Sequence, residues 1–150
     1  MKCLMVIAST LFGAVAVAAA LGANQPLVTA TPVALATVQQ PYSITVRKPA
    51  AVIVVKVTVP PGASFGWHSH PSAVAVAITA GTLTLYDGAN SSCTPKRYSR
   101  GQGFVEPRNH VHLARNEGTT PVTLYATYLG VPQGAAPNVP ASSGPANCPA

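Results

Sequence analysis

The sequence predicts an all-β protein that folds as one small sandwich or barrel. Runs rich in β-branched residues recur through the middle of the chain, and turns containing glycine or proline separate them. No segment of useful length has the apolar spacing of an amphipathic helix. The length of 150 residues suits a single domain of modest size.

The predicted strands are short, and about eight of them are expected in a fold of this class. The segments with strand character are residues 42–48, 50–59, 74–79, 83–88, 103–106, 110–115 and 122–129. Their Val, Ile, Leu, Phe and Tyr side chains are the candidates for the core. We therefore expect the barrel to occupy residues 40–132.

Residues 1–20 are predicted to be a secretory signal peptide. Lys2 gives a basic start, an apolar run rich in Ala and Gly follows, and Ala18-Ala19-Ala20 fits the small-residue pattern of a cleavage site. An uncleaved membrane anchor is the alternative, but such a run inserts weakly into a bilayer. We expect a secreted or periplasmic protein that has no membrane contact after cleavage.

Segments of biased composition flank the predicted barrel. Residues 21–39, rich in Ala, Thr and Pro, are predicted to be an N-terminal arm or linker. Residues 133–150, dominated by Pro, Ala, Gly and Ser, are predicted to be an extended C-terminal tail, because they cannot bury enough apolar surface to form a core. The expected anchor of this tail is Cys148.

The cysteine pattern predicts one disulfide. Cys3 would leave with the signal peptide, so that Cys93 and Cys148 form an even pair in an exported chain. Two free thiols or a metal thiolate are the alternatives, and neither cysteine has a second one nearby to support a zinc–thiolate cluster.

The charge pattern argues against nucleic-acid binding. The chain has nine Lys and Arg residues against three acidic ones, a formal net charge of +6. The basic residues are scattered, and few aromatic residues interleave with them, so no phosphate-binding stripe is predicted. Chemistry that needs a carboxylate is limited to Asp87, Glu106 and Glu117.

The four histidines of the chain fall into two H-x-H pairs, His68/His70 and His110/His112. Residues i and i+2 of a strand point to the same face, so each pair can project two imidazoles into one space. Imidazole is a common ligand for zinc, copper, iron and nickel. The pairs predict a metal site, and histidines satisfied by the backbone or by water are the alternative.

The first pair lies in a stretch that resembles the first motif of the cupin family, G-x5-H-x-H-x3-4-E-x6-G. The residues that match the motif are Gly62, His68, His70 and Gly81. The glutamate is missing: Val74 takes its place at the shorter spacing and Ala75 at the longer one. Neither side chain can bind a metal, so we expect no carboxylate ligand from this motif.

The second pair lies in a stretch that resembles the second cupin motif, G-x5-P-x-G-x2-H-x3-N. The residues that match are Gly101, Pro107, His112 and Asn116. Asn109 replaces the internal glycine, and asparagine also tolerates left-handed backbone geometry. Two motifs in the right order make the resemblance specific.

The resemblance implies a cupin-type jelly roll, or double-stranded β-helix barrel, with a divalent metal at its mouth. The implied ligands are His68, His70 and His112, and zinc, copper, manganese, nickel and iron are all candidates for the ion. It also implies a small-molecule ligand as partner, and a homodimer through sheet edges is expected by analogy. His110 is a further candidate ligand if its strand begins early, and otherwise a turn residue.

Glu106 is the candidate catalytic residue. Because Phe104 and Glu106 share one face of their strand, an inward Phe104 would bring Glu106 near the metal as ligand, orienting residue or base. A solvated carboxylate paired with Arg108 or Arg115 is the alternative.

The sequence leaves three functions open. The first is a metal-dependent enzyme, dioxygenase-like, that acts on a small anionic molecule, since three neutral ligands leave the ion strongly polarising and with an open position. The second is a barrel that binds a metal or small ligand without turnover. The third is a structural barrel with vestigial histidines.

Overall fold

Two five-stranded β-sheets form the described part of the computed structural model, residues 30–46 and 49–149. The strands in chain order are β1 (Thr37–Val38), β2 (Ala50–Val59), β3 (Ser64–Ser69), β4 (Ala73–Ala80), β5 (Thr82–Asp87), β6 (Lys96–Ser99), β7 (Gln102–Glu106), β8 (His112–Arg115), β9 (Val122–Pro132) and β10 (Val139–Pro140). The predicted signal peptide lies outside the described residues. Within them, no helix is long and apolar enough to cross a membrane.

The strand order is β1-β7-β4-β9-β2 in the first sheet and β10-β3-β8-β5-β6 in the second. Neighbouring strands pair antiparallel, except that β1 runs parallel to β7. Side chains from both sheets form one buried apolar cluster, so the sheets pack face to face around a common interior. The all-β prediction is confirmed.

Strict alternation along β4 defines the interior. Val74, Val76 and Ile78 are buried, whereas the alanines between them are only partly buried. Because successive side chains of a strand point to opposite faces, the larger residues of β4 all enter the core. The same alternation in β7 buries Phe104 and Glu106 and leaves Val105 partly exposed.

The prediction of a strand over residues 42–48 is wrong. Residues 42–46 form no strand, and residues 47 and 48 lie outside the described part. Only Ile44 is partly buried in this stretch, while Tyr42 and Val46 are about half exposed, at 52% and 51%. The β-branched composition therefore lacks the buried face that a strand packs against a sheet.

The C-terminal segment has more anchors than the predicted Cys148. Cys148 does form a disulfide with Cys93, with the Cα atoms 5.3 Å apart. In addition, β10 pairs with β3, and the indole Nε1 of Trp67 donates a hydrogen bond to the carbonyl of Pro149 at 2.9 Å. We call residues 137–149 the C-terminal strap: it begins beside His70, continues as the edge strand β10, and then crosses the outer face of the second sheet.

The strap covers a second, smaller apolar cluster. Its buried members are Trp67, Tyr86 and Leu113, and Ala141 and Cys148 of the strap pack against them. These side chains alternate with the inward-facing residues of β3, β5 and β8. The second sheet is thus buried on both faces in this region, which fixes the strands that carry the histidines.

Candidate metal centre

The three histidines selected by the motifs converge in the interior of the barrel. His68 lies on β3 directly opposite His112 on β8, and His70 follows one residue after the end of β3. All three side chains are buried. One candidate ligand nitrogen from each lies within 4.8 Å of the other two, so the group could hold a metal ion.

A backbone carbonyl holds the δ-nitrogen of each imidazole. The pairs are His68 with Gly66 (2.9 Å), His70 with Pro137 (2.9 Å) and His112 with His110 (3.0 Å). A carbonyl can only accept, so each Nδ1 carries a hydrogen and donates it. In the neutral ring this leaves the Nε2 lone pair free for a metal, which is the usual arrangement of a metal-bound histidine.

Gly66 shows how the local sequence produces one of these bonds. Its φ angle of +69° is in the left-handed region, which glycine adopts at little cost. The β3–β8 register shifts between Ser64 and Trp67, across this glycine. The resulting bulge turns the Gly66 carbonyl toward the ring two residues later.

Glu106 lies buried beside two of the three histidines. Its carboxylate oxygens are each 3.1 Å from an Nε2 atom, Oε2 from His70 and Oε1 from His112. The alternative of a solvated carboxylate paired with Arg108 or Arg115 is therefore wrong. The inward direction inferred from its alternation with Phe104 is confirmed.

The strand register places Glu106 opposite the missing glutamate. Val74, which occupies the glutamate position of the first motif, pairs directly with Glu106 across β4 and β7. Directly opposed residues project to the same face with their Cβ atoms about 5 Å apart. The first motif itself supplies no carboxylate, as expected, and Glu106, the candidate named from the sequence, approaches the same place from the neighbouring strand.

Burial and the neighbouring rings act in opposite directions on this carboxylate. Burial alone would raise the pKa of Glu106, but its contacts with His112 and His70 outweigh that effect and bring the pKa to about 2. Burial alone would lower the pKa of His112, but the contact with Glu106 outweighs that effect and raises the pKa. For His68, burial dominates and lowers the pKa.

One buried polar atom tests whether a metal ion fits the site. Among the described residues, Nε2 of His112 has no hydrogen-bond partner in favourable geometry, although Oε1 of Glu106 is close. A nitrogen lone pair facing a carboxylate oxygen is unfavourable unless a proton or a cation lies there. Three imidazoles with an adjacent carboxylate are a donor set that suits a divalent transition metal.

Residues 55–128 match the protein family Cupin_2, described as a cupin domain. The chain belongs to the cupin family. Among curated proteins, none matches the sequence significantly. The matched residues include both histidine-bearing strands and both strands that carry Val74 and Glu106.

Several solved structures are similar to the chain. The DMSP lyase DddQ from Ruegeria pomeroyi DSS-3 is similar with a TM-score of 0.52 and 21% identity, over 61% of this chain and 43% of that one. A structure of the DMSP lyases RdDddP and RnDddQII is similar with a TM-score of 0.52 and 19% identity, over 61% of this chain and 44% of that one. A Klebsiella pneumoniae protein with a double-stranded β-helix domain has a TM-score of 0.45 and 18% identity, over 68% of this chain and 77% of that one. The chain thus spans less than half the length of these lyases.

His110 lies outside the cupin's three-histidine group. It precedes β8 in a turn, and its Nε2 is 2.7 Å from Oδ1 of Asp87. The rule that residues i and i+2 share a face does not apply, because only His112 is part of the strand. The alternative of a turn residue is correct, and His110 serves the centre through its backbone carbonyl. Asn109, beside it, has a φ of 58°, as predicted for the glycine position of the motif.

Two cavities border the centre. A chamber of about 40 Å³ lies on the side of His68 and His70, and Glu106, Tyr128 and Asn138 are among its walls. A pocket of about 410 Å³ reaches Glu106 and His112 from another side. Its polar lining includes Gln39, Gln40, Tyr42, Asp87, Asn90, Lys96 and His110.

The pH dependence of the metal-free protein provides a test of the Glu106 cluster. The lowered pKa of Glu106 stabilises the fold above its ordinary value of 4.5 and loses this effect as the pH falls toward about 2. The raised pKa of His112 stabilises the fold below 6.5 and loses this effect as the pH rises through the folded-state value. We expect the difference in melting temperature between the chelator-treated protein and its Glu106→Gln variant to be largest between these two values, 4.5 and 6.5. A difference that does not change with pH would contradict the assigned contacts.

Proposed function

We propose that this cupin binds one divalent transition-metal ion through His68, His70 and His112 and uses it to bind and transform a small anionic molecule. The observation that carries the proposal is the common state of the three rings. Each δ-nitrogen is held by a backbone carbonyl, and the ε-nitrogens are left for a shared ligand. When bound, the ion would act as a Lewis acid toward a ligand oxygen or a water molecule.

Glu106 is proposed as the proton acceptor of the site. The carboxylate is buried and each of its oxygens is 3.1 Å from an ε-nitrogen, so as an ionised group it could take up a proton released by a ligand at the centre. Its negative charge also offsets the charge that a divalent ion would bring into a buried site. Since it is next to the ε-nitrogens, the same carboxylate is within reach of a ligand bound at the centre.

The two cavities support a small ligand. The chamber beside His68 and His70 has room for a few atoms, whereas the larger pocket falls within the usual size of small-molecule sites. Lys96 is the cation that lines the larger pocket, and Asp87 on its wall is paired with His110. With a divalent ion at its inner end, this pocket would favour an anionic molecule.

An exported location is part of the proposal. The Cys93–Cys148 disulfide supports it, because structural disulfides persist in oxidising compartments and are rare in the cytosol. Secretion or transport to a periplasm would provide that environment.

Removal of one imidazole tests the metal site. We expect the protein to bind close to one zinc or copper ion per chain, and the His70→Ala variant to lose tight binding, because two imidazoles and a carboxylate remain. Elemental analysis after desalting measures the content. The control is His110→Ala, which removes an imidazole but keeps the carbonyl that His112 uses.

The control distinguishes the loss of a ligand at the proposed site from a general effect of removing a histidine. Equal loss in both variants would point to a site other than the one proposed. Retention of metal by His70→Ala would remove His70 from the ligand set, and absence of metal from the wild-type chain after incubation with each candidate ion would overturn the proposed function.

A carboxylate exchange between strands tests the role of Glu106. Glu106→Val should weaken metal binding by about 10- to 100-fold, as loss of a close partner of a metal site usually does. The double variant Val74→Glu/Glu106→Val should recover most of this loss, because the new carboxylate projects to the same face from the opposite strand. Competition with a chromophoric chelator measures the affinities. A double variant no better than Glu106→Val would contradict the equivalence of the two positions.

Lys96 provides the test of ligand charge. In the zinc-loaded protein, Lys96→Glu should weaken the binding of short-chain carboxylates several-fold, an effect limited by solvent screening of the exposed ammonium. Lys56→Glu is the matched control, since Lys56 is exposed on β2 and does not line the pocket. Calorimetric titration, with amides of the same size as neutral probes, measures the difference. Equal effects of both substitutions would leave the pocket without a charge preference.

A further inference from the structure

The three histidines differ in where their backbone partners come from. His68 and His112 are each held by a carbonyl two residues earlier in the chain, on the same local segment. His70 is held by the carbonyl of Pro137, 67 residues later, in the C-terminal strap. The orientation of one ring therefore depends on a distant segment that the other two rings do not use.

A short ladder and a backbone bond fix the start of the strap. Val139 pairs with Ser69, and Pro140 pairs with His68, so this part of the strap runs beside the strand that carries the histidines. The N–H of Ala141 donates to the carbonyl of Trp67 at 2.9 Å. These contacts hold the Pro137 carbonyl within hydrogen-bond distance of Nδ1 of His70.

The end of the strap is fixed by Trp67 and by the disulfide. The indole donates to the carbonyl of Pro149, and Gly144 lies so close to the ring that an added Cβ would overlap it. Cys148 is bonded to Cys93 in the loop between β5 and β6. The covalent bond thus ties the strap to the β5–β6 loop, at the other side of the sheet from β3.

The strap also forms part of the chamber wall. Asn138, the residue after Pro137, lines the chamber together with His70 and Tyr128. Its Oδ1 accepts a hydrogen bond from the Tyr128 hydroxyl at 3.2 Å. Displacement of the strap would therefore change both the orientation of His70 and the boundary of the cavity.

Few apolar contacts hold the strap besides these bonds. Much of the segment is exposed, including Val139 at 46%, and Ala141 and Cys148 are its members in the second apolar cluster. A segment with little buried apolar surface opens locally more readily than the core. The disulfide reduces the conformational freedom of the open state and so favours the closed one.

We propose that the Cys93–Cys148 disulfide is a latch on the metal centre: it keeps the Pro137 carbonyl on His70, and its reduction releases the ring and weakens metal binding. Pro137 and Asn138 are positioning residues in this scheme. The expected effect on metal affinity rests on the proposed function, whereas the expected effect on the tautomer of the His70 ring does not.

The opening step is an ordinary thiol–disulfide exchange with a dithiol reductant. A thiolate of the reductant attacks one sulfur of the protein disulfide and forms a mixed disulfide, which the second thiol of the reductant then resolves. Two electrons and two protons pass to the protein. Cys93 and Cys148 become thiols, and the reductant becomes a cyclic disulfide.

The first test observes the rings without metal. Two-bond ¹H–¹⁵N spectra of the chelator-treated protein report which ring nitrogens of each histidine carry a hydrogen. We expect Nδ1 of all three site histidines to carry a hydrogen in the oxidised protein, whether or not Nε2 also holds a proton shared with Glu106. In Cys93→Ser/Cys148→Ser, His70 should shift toward a mixture of tautomers while His68 and His112 keep theirs.

The second test measures zinc affinity by chelator competition. Because dithiols bind zinc, the Cys93→Ser/Cys148→Ser variant replaces the reduced protein, and we expect it to bind zinc about 10- to 100-fold more weakly than wild type. Gly144→Ala, with the disulfide intact, should lift the strap from Trp67 and lower the affinity in the same direction. Ser143→Ala, an exposed neighbour, is the matched control and should bind as wild type does.

The outcomes separate the two proposals. A wild-type protein that binds no metal overturns the proposed function but leaves the tautomer test valid for the latch. Unchanged His70 signals in the cysteine variant, or zinc affinity equal to wild type in both strap variants, would overturn the latch. If all three rings changed together, the strap would stabilise the whole barrel and would have no specific link to His70.

Discussion

The contact between the Glu106 carboxylate and the imidazoles of His70 and His112 is the constraint that organises this barrel. A carboxylate enclosed by apolar strands is strongly disfavoured unless close partners compensate it. Here the partners are rings whose directions are fixed by backbone carbonyls, so the cluster has little freedom to rearrange. The turn before β8 and the C-terminal strap supply these two carbonyls, and the bulge at Gly66 supplies a third to the adjacent ring of His68. Irregular backbone at three separate places thus serves one polar cluster inside a regular fold.

The fold and the histidines could be predicted because their signals are local. Residue spacing assigns His68 and His112 to the two motifs, although no strand was predicted over β3, and the alternation of β7 directs Glu106 inward with Phe104. The opposition of Val74 and Glu106 could not be predicted in this way, because register depends on how two distant strands pair. The spacing of the first motif shows only that residue 74 has no carboxylate, whereas the folded protein has one on the opposite strand.

Two further differences show the limits of local patterns. The His110/His112 spacing suggests a shared face, but β8 begins only at His112, and element boundaries depend on tertiary contacts. The C-terminal strap was predicted only as a tail, since its Pro, Ala, Gly and Ser residues carry no core signal. Its role comes from backbone carbonyls, which every residue has and which no side-chain pattern marks.

The position of the strap sets an order of events during biosynthesis. The partner of His70 lies 67 residues after it in the chain, and the disulfide that closes the strap can form only after Cys148 has been made. The strands of the barrel can pair earlier, since β9 ends at Pro132. The site is thus completed only after the scaffold around it has been made.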